Sequence, residues 1–60
     1  MQVGDKLRNK ENKNMYTIID VFYYRNTVSK GYVLKDTWNR YSEPIIISDD
    51  KIRVEYDYKI

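Results

Sequence analysis

The side chains best suited to chemistry in this 60-residue chain are aromatic and cationic: seven Tyr, one Trp and one Phe among 11 Lys and Arg. Tyr, Trp and Arg bury large area for little lost side-chain freedom, and they dominate the energetic centres of protein interfaces. Five such residues stand out by position: Tyr24, Arg25, Trp38, Arg40 and Tyr41. Trp38 and Arg40 fall in a short polar stretch between two apolar segments, and Tyr41 adjoins it. Tyr23 and Tyr24 are consecutive, so a regular strand sends them to opposite faces and one is expected at the surface. These five residues are expected to form a partner-binding cluster. A competing reading folds Trp38 back as a lid over one end of the fold. The same aromatic residues also suit base stacking, with Arg25, Lys30, Lys35, Arg40 and Arg53 as phosphate contacts. Acids are mixed throughout and the net charge is only +2, well short of a dedicated polyanion binder. A protein partner is therefore the first expectation, and nucleic acid the alternative.

Other chemistries are closed by composition. With neither His nor Cys, the chain offers no zinc site, disulfide, thiol nucleophile or His-based triad. The adjacent carboxylates Asp49 and Asp50 read as solvated caps. Together with Glu55 they lack calcium-loop spacing. Gly4 and Gly31 are isolated, so no glycine-rich loop cradles a phosphate. The expectation is a non-catalytic protein without metal or cofactor. The run Ile45-Ile46-Ile47 falls far short of the ~20 apolar residues of a membrane span. Residues 1–6 lack the apolar stretch of a secretory signal, so a cytoplasmic location is expected. Lys6, Arg8, Lys10 and Lys13, set against Glu11, read as a solvated loop.

The elements that must position these residues are strands. Ala is absent, whereas Tyr, Ile and Val are abundant, a balance that favours pleated, half-buried surface. Strands are expected over residues 3–7, 15–24, 32–36, 41–47 and 52–58. Gly4 and Asp5 kink the first, and Pro44 marks an edge in the fourth. Both alternating faces of residues 15–24 are largely apolar, which suggests a central strand. Residues 48–51 carry Ser and Asp cap chemistry for a single 3₁₀ turn. The alternation of Ile52, Val54, Tyr56 and Tyr58 against charged neighbours reads as a half-buried last strand. Leu7, Ile18, Val21, Leu34, Ile46, Ile52 and Val54 are the expected core, with the faces of Val33 and Ile45 left open. The fold class is thus all-β: one domain over residues 1–60, a small five-stranded antiparallel barrel with one short 3₁₀ turn before the last strand. Closing the sheet removes exposed edges.

The blocks Val3-Gly4-Asp5-Lys6, Tyr16-Thr17-Ile18-Ile19-Asp20-Val21 and Tyr32-Val33-Leu34-Lys35-Asp36 resemble small SH3-like barrel proteins encoded by phages and Gram-positive bacteria. The richness in Lys, Asn, Ile and Tyr, with few Gly and Pro, fits the AT-rich codons of such genomes. The resemblance implies a non-catalytic binding module, such as a phage-encoded inhibitor of a host factor working in the host cytoplasm. No site residue transfers with it: the Tyr56-Asp57-Tyr58 sequence lies at the chain's end, not near the start, where eukaryotic SH3 domains carry their ligand motif.

Overall fold

The computed structural model describes residues 1–25 and 29–59. Five strands and one helix follow in the order β1 (Lys6–Asn9), β2 (Met15–Tyr23), β3 (Lys30–Asp36), β4 (Ile45–Ser48), α1 (Asp49–Glu55) and β5 (Tyr56–Lys59). The strands form one antiparallel sheet, β4-β3-β2-β1-β5, curled into a half-barrel. The segment between the second and third expected strands, residues 25–31, reads as a turn from its Asn, Ser and Gly; residues 26–28 of it lie outside the described residues, and Lys30 and Gly31 already belong to β3.

β2 is the longest strand, as its run of β-branched and aromatic residues dictates. Its register against β3 slips between Ile18 and Asp20, so two residues of β2 oppose one of β3. That bulge explains why both faces of β2 are apolar. Before it, Tyr16 and Ile18 are buried; after it, Val21 is the residue packed against the core, and Ile19 is pushed outward. Asp20 stabilises the kink by accepting the Val21 N–H through Oδ1 at 2.9 Å. Gly31 lets Phe22 lie across β3 on the outer face: a Cβ there would stand 2.5 Å from Phe22 Cζ.

The core contains Leu7, Tyr16, Ile18, Tyr32, Leu34, Ile47, Ile52 and Tyr56. Leu7, Ile18, Leu34 and Ile52 are as the sequence suggests. The three tyrosines take the place of other aliphatic residues because each keeps a polar partner for its hydroxyl. Tyr16 Oη accepts from Asn12 Nδ2 at 3.3 Å, and Tyr32 Oη donates to Asp49 Oδ1 at 2.9 Å. Tyr56 bonds to Asn9 and meets the Tyr16 ring edge-on at 5.5 Å. Burial, the largest cause, raises the Tyr56 pKa.

Four expectations are corrected. The segment after β4 is an α-helix of seven residues, not a 3₁₀ turn followed by a long strand. Ser48 caps it by accepting the Lys51 N–H, Asp49 and Asp50 occupy its first turn, and Arg53 its last. Acids at the N-terminus and a base at the C-terminus both suit the helix dipole. Val54 therefore turns to water at 70% exposure while Ile52 is fully buried. Ile46 is exposed as well, because β4 alternates and it is Ile47 that faces Tyr32 and the core. The first strand begins only at Lys6: residues 2–5 form a turn, with Gly4 at φ +96°, a backbone region that favours glycine. The fourth strand likewise starts late, at Ile45, because residues 37–44 are held as a loop.

Candidate functional site

The loop between β3 and β4 is built almost entirely from side-chain caps. Asp36 ends β3 and its Oδ1 accepts the N–H groups of Trp38 (2.9 Å) and Asn39 (3.2 Å). Asn39 repeats the device, its Oδ1 accepting from Tyr41 N at 3.1 Å. The Asn39 carbonyl accepts from both the N–H and the Oγ of Ser42. Asp and Asn are the residues that make such turns. At the base, Lys35 Nζ donates to the Ser42 carbonyl at 2.8 Å, Thr37 N donates to Met15 O at 2.9 Å, and the Thr17 and Thr37 hydroxyls share a 2.8 Å hydrogen bond. The backbone of residues 37–42 is thus tied down by these bonds.

Its large side chains are not. Trp38 is 82% exposed and Tyr41 86%. The Arg40 guanidinium carbon lies 5.6 Å from the Tyr41 ring centroid, a cation–π contact, and among the described residues Arg40 makes no ion pair. Trp38 is not a lid; it touches water over most of its surface. Asp36 spends a carboxylate oxygen on the backbone, whereas Glu43 stands exposed beside the tip.

The structure does not bring all five expected residues together. Tyr24 and Arg25 follow β2, next to the paired residues Tyr23 and Lys30, whereas Trp38 follows the other end of the same ladder, where Asp36 pairs with Tyr16. Six residue steps of strand separate these ends, about 20 Å. The physical reason is hairpin geometry: consecutive antiparallel hairpins turn at opposite ends of a sheet. Tyr24 instead rests its ring edge-on against Phe22 at 5.2 Å, and its N–H donates to Ser29 O at 3.0 Å. The expected cluster divides into a tip of Trp38, Arg40 and Tyr41 and a separate pair, Tyr24 and Arg25, both exposed.

A second feature escaped the sequence reading. A cleft of about 360 Å³ opens between the chain's start, the beginning of β3 and the first turn of α1, lined by Met1, Lys30, Tyr32, Ser48, Asp49 and Arg53 among others. Asp49 accepts from Tyr32 Oη through one oxygen and from Arg53 Nε through the other, each at 2.9 Å. Lys30 Nζ donates to Met1 O at 3.2 Å and lies 5.4 Å from the Tyr32 ring centroid. The bonds from Arg53 and then Tyr32 hold the Asp49 carboxyl below its usual range. Burial, followed by the bond to Asp49, pushes the Tyr32 hydroxyl up to about 12. A carboxylate engaged at both oxygens is a clamp between helix and sheet, not an available base. The spacing of Asp49 and Arg53, four residues apart, was the available signal, readable only once the segment is known to be helical.

Among the described residues, no helix is long and apolar enough to cross a membrane. Compared with known proteins, the chain matches no family model, no curated protein and no solved structure.

Proposed function

We propose that this chain is a non-catalytic protein-binding module of SH3-like barrel type whose contact surface is the tip formed by Trp38, Arg40 and Tyr41. One observation supports the reading: two aromatic side chains more than four-fifths exposed stand on a loop whose backbone is fixed by its own Asp, Asn, Ser and Thr side chains. A large apolar group on an already ordered loop loses little freedom on binding, so its burial goes into affinity. A partner with an apolar pocket and an acidic rim fits this tip, because among the described residues Arg40 makes no ion pair. The sequence resemblance extends the proposal to a phage-encoded protein that occludes a host factor in the host cytoplasm. The alternative, a barrel that binds nucleic acid through this same tip, is less well supported, since acids, Asp36 and Glu43, occur in the same stretch as Lys35 and Arg40 and would repel phosphates.

Capture of partners from a low-GC bacterial lysate, with and without nuclease, tests the proposal. The wild-type chain should retain a nuclease-insensitive protein that Trp38→Ala and Arg40→Ala both lose, while each variant melts within a few degrees of wild type. Retention of the same partner by both variants would remove the tip from the function. Loss of the partner on nuclease treatment would favour the alternative.

A further inference from the structure

The half-barrel leaves two strands paired on one side only, β4 and β5. An open edge offers its N–H and C=O groups to another strand, and natural edges are commonly blunted by charge. β5 contains Asp57, exposed and 3.9 Å from the Lys10 ammonium. β4 holds no charge at all: its sequence is Ile45-Ile46-Ile47-Ser48. Successive residues of an antiparallel strand turn their backbone groups to alternate sides, so about half of those in β4 face away from β3. Among the described residues, 45–47 make no backbone hydrogen bond outside that pairing. The side chains follow the same pattern. Ile46 stands opposite Val33 on the outer face and is 68% exposed; Ile45 stands opposite the buried Leu34 on the inner face and is still 38% exposed. The edge is short at both ends, because Pro44 has no N–H to donate and α1 begins at Asp49.

We infer that β4 pairs with β4 of a second copy of this chain, antiparallel about a two-fold axis through Ile46. Such an axis stands normal to the sheet, and directly opposed residues then share a face. Centred on Ile46, the register sets Ile46 against its own copy and Ile45 against Ile47, so every isoleucine of one strand meets an isoleucine of the other. On the outer face, Val33 and Ile46 become half of an apolar row that continues across the axis. Self-complementarity selects the second copy over an unrelated strand: both faces of the edge need an apolar neighbour, and β4 itself supplies both. A net charge of +2 opposes the association little. Chains below about 70–80 residues also gain stability by associating. Four residues a side is far fewer than the roughly 20–30 of a standard interface, so the dimer should be weak, with a dissociation constant of about 0.1–1 mM. The pairing uses neither Trp38 nor Arg40, and it holds or fails independently of the tip.

Sedimentation velocity of the full chain, from about 10 µM to about 1 mM, brackets that constant. The wild-type chain should pass from monomer to dimer and no further, and its melting temperature should rise with concentration. Ile46→Lys sets two ammonium groups against each other and should weaken the dimer at least about tenfold. Ile46 is exposed, so the variant's melting temperature at low concentration should stay close to that of wild type. Ile46→Glu should weaken the dimer in the same way. An equimolar mixture of the two variants should dimerise again, a rescue that requires position 46 to face itself. Amide hydrogen exchange of the wild-type chain needs no variant: β4 should gain protection with concentration and β5 should not. Trp38→Ala should dimerise as wild type does. A wild-type chain that stays monomeric throughout would overturn the inference, as would species larger than a dimer, which mark head-to-tail pairing of β4 with β5. A mixture without rescue, or loss of the dimer in Trp38→Ala, would overturn it too.

Discussion

Ile52 and Val54 provide the sharpest test of how the chain ends. In a strand their side chains would share a face and both would contribute to the core. In α1 they diverge: Ile52 is fully buried, whereas Val54 is 70% exposed. Ile52→Ala removes a buried branched side chain from a packed site and should cost about 2–5 kcal/mol. A chain of this length has only about 3–9 kcal/mol to lose, so that one change removes a large share of its stability. At roughly 4–8 °C per kcal/mol for a small domain, the melting temperature should fall by about 8 °C at the least. Val54→Ala removes methyl groups already mostly in water, and Ala is the better helix former. Its effect should stay within about 0.5 kcal/mol. Urea and thermal unfolding followed by far-UV circular dichroism would read both variants, with an unchanged dependence on urea confirming that the same surface is exposed. If Val54→Ala costs as much as Ile52→Ala, the two residues share a face and residues 52–55 are not helical.

Three further outcomes follow from the packing. Leu34→Ala, in the centre of β3 at 0% exposure, should cost about 2–5 kcal/mol and leave the chain largely unfolded at 37 °C by circular dichroism; an unchanged melting point would refute the inward placement of β3. Ser48→Ala should cost about 0.5–1 kcal/mol, nearer the lower figure because the cap bond to Lys51 N is 3.4 Å long, and a urea midpoint equal to that of wild type would show that the cap contributes nothing. Stability should also fall at both extremes of pH. The Asp49 carboxyl is held below its ordinary value of 3.8 by its bonds from Arg53 and Tyr32, so its contribution is complete above that pH and disappears as pH drops below it. The Tyr32 hydroxyl is raised from 10.0 to about 12, so its contribution is complete below pH 10 and disappears between 10 and 12; a Tyr32→Phe variant should lose stability less steeply over that window, and an equal slope would refute the clamp.

The parts of this fold that sequence made legible are those where only one period fits. Residues 15–24 and 32–36 are too rich in β-branched and aromatic residues for a helix, and both became strands within two residues of expectation. The last segment failed because Ile52 and Tyr56 are four apart, a spacing that puts both on one face of a strand and equally on one face of a helix. Only Val54 distinguishes the two, and an exposed valine is not visible in a sequence. The bulge in β2 had a subtler trace. In strict alternation Tyr16, Ile18, Asp20, Phe22 and Tyr24 form one face, and Asp20 is its misfit. The slip at Ile19 resolves that misfit by moving Asp20, Phe22 and Tyr24 to the outer face, while Val21 takes the inward place. One inserted residue reverses every side chain beyond it. The same dependence on register decides which exposed residues come together. The exposed tip was legible, because Trp38, Arg40 and Tyr41 are neighbours in sequence and their setting is rich in turn-forming Asp and Asn. Their separation from Tyr24 was not, since it depends on which residue faces which across the ladder. Local chemistry can be read from adjacent residues, but a surface that spans three strands exists only once the pairing is known.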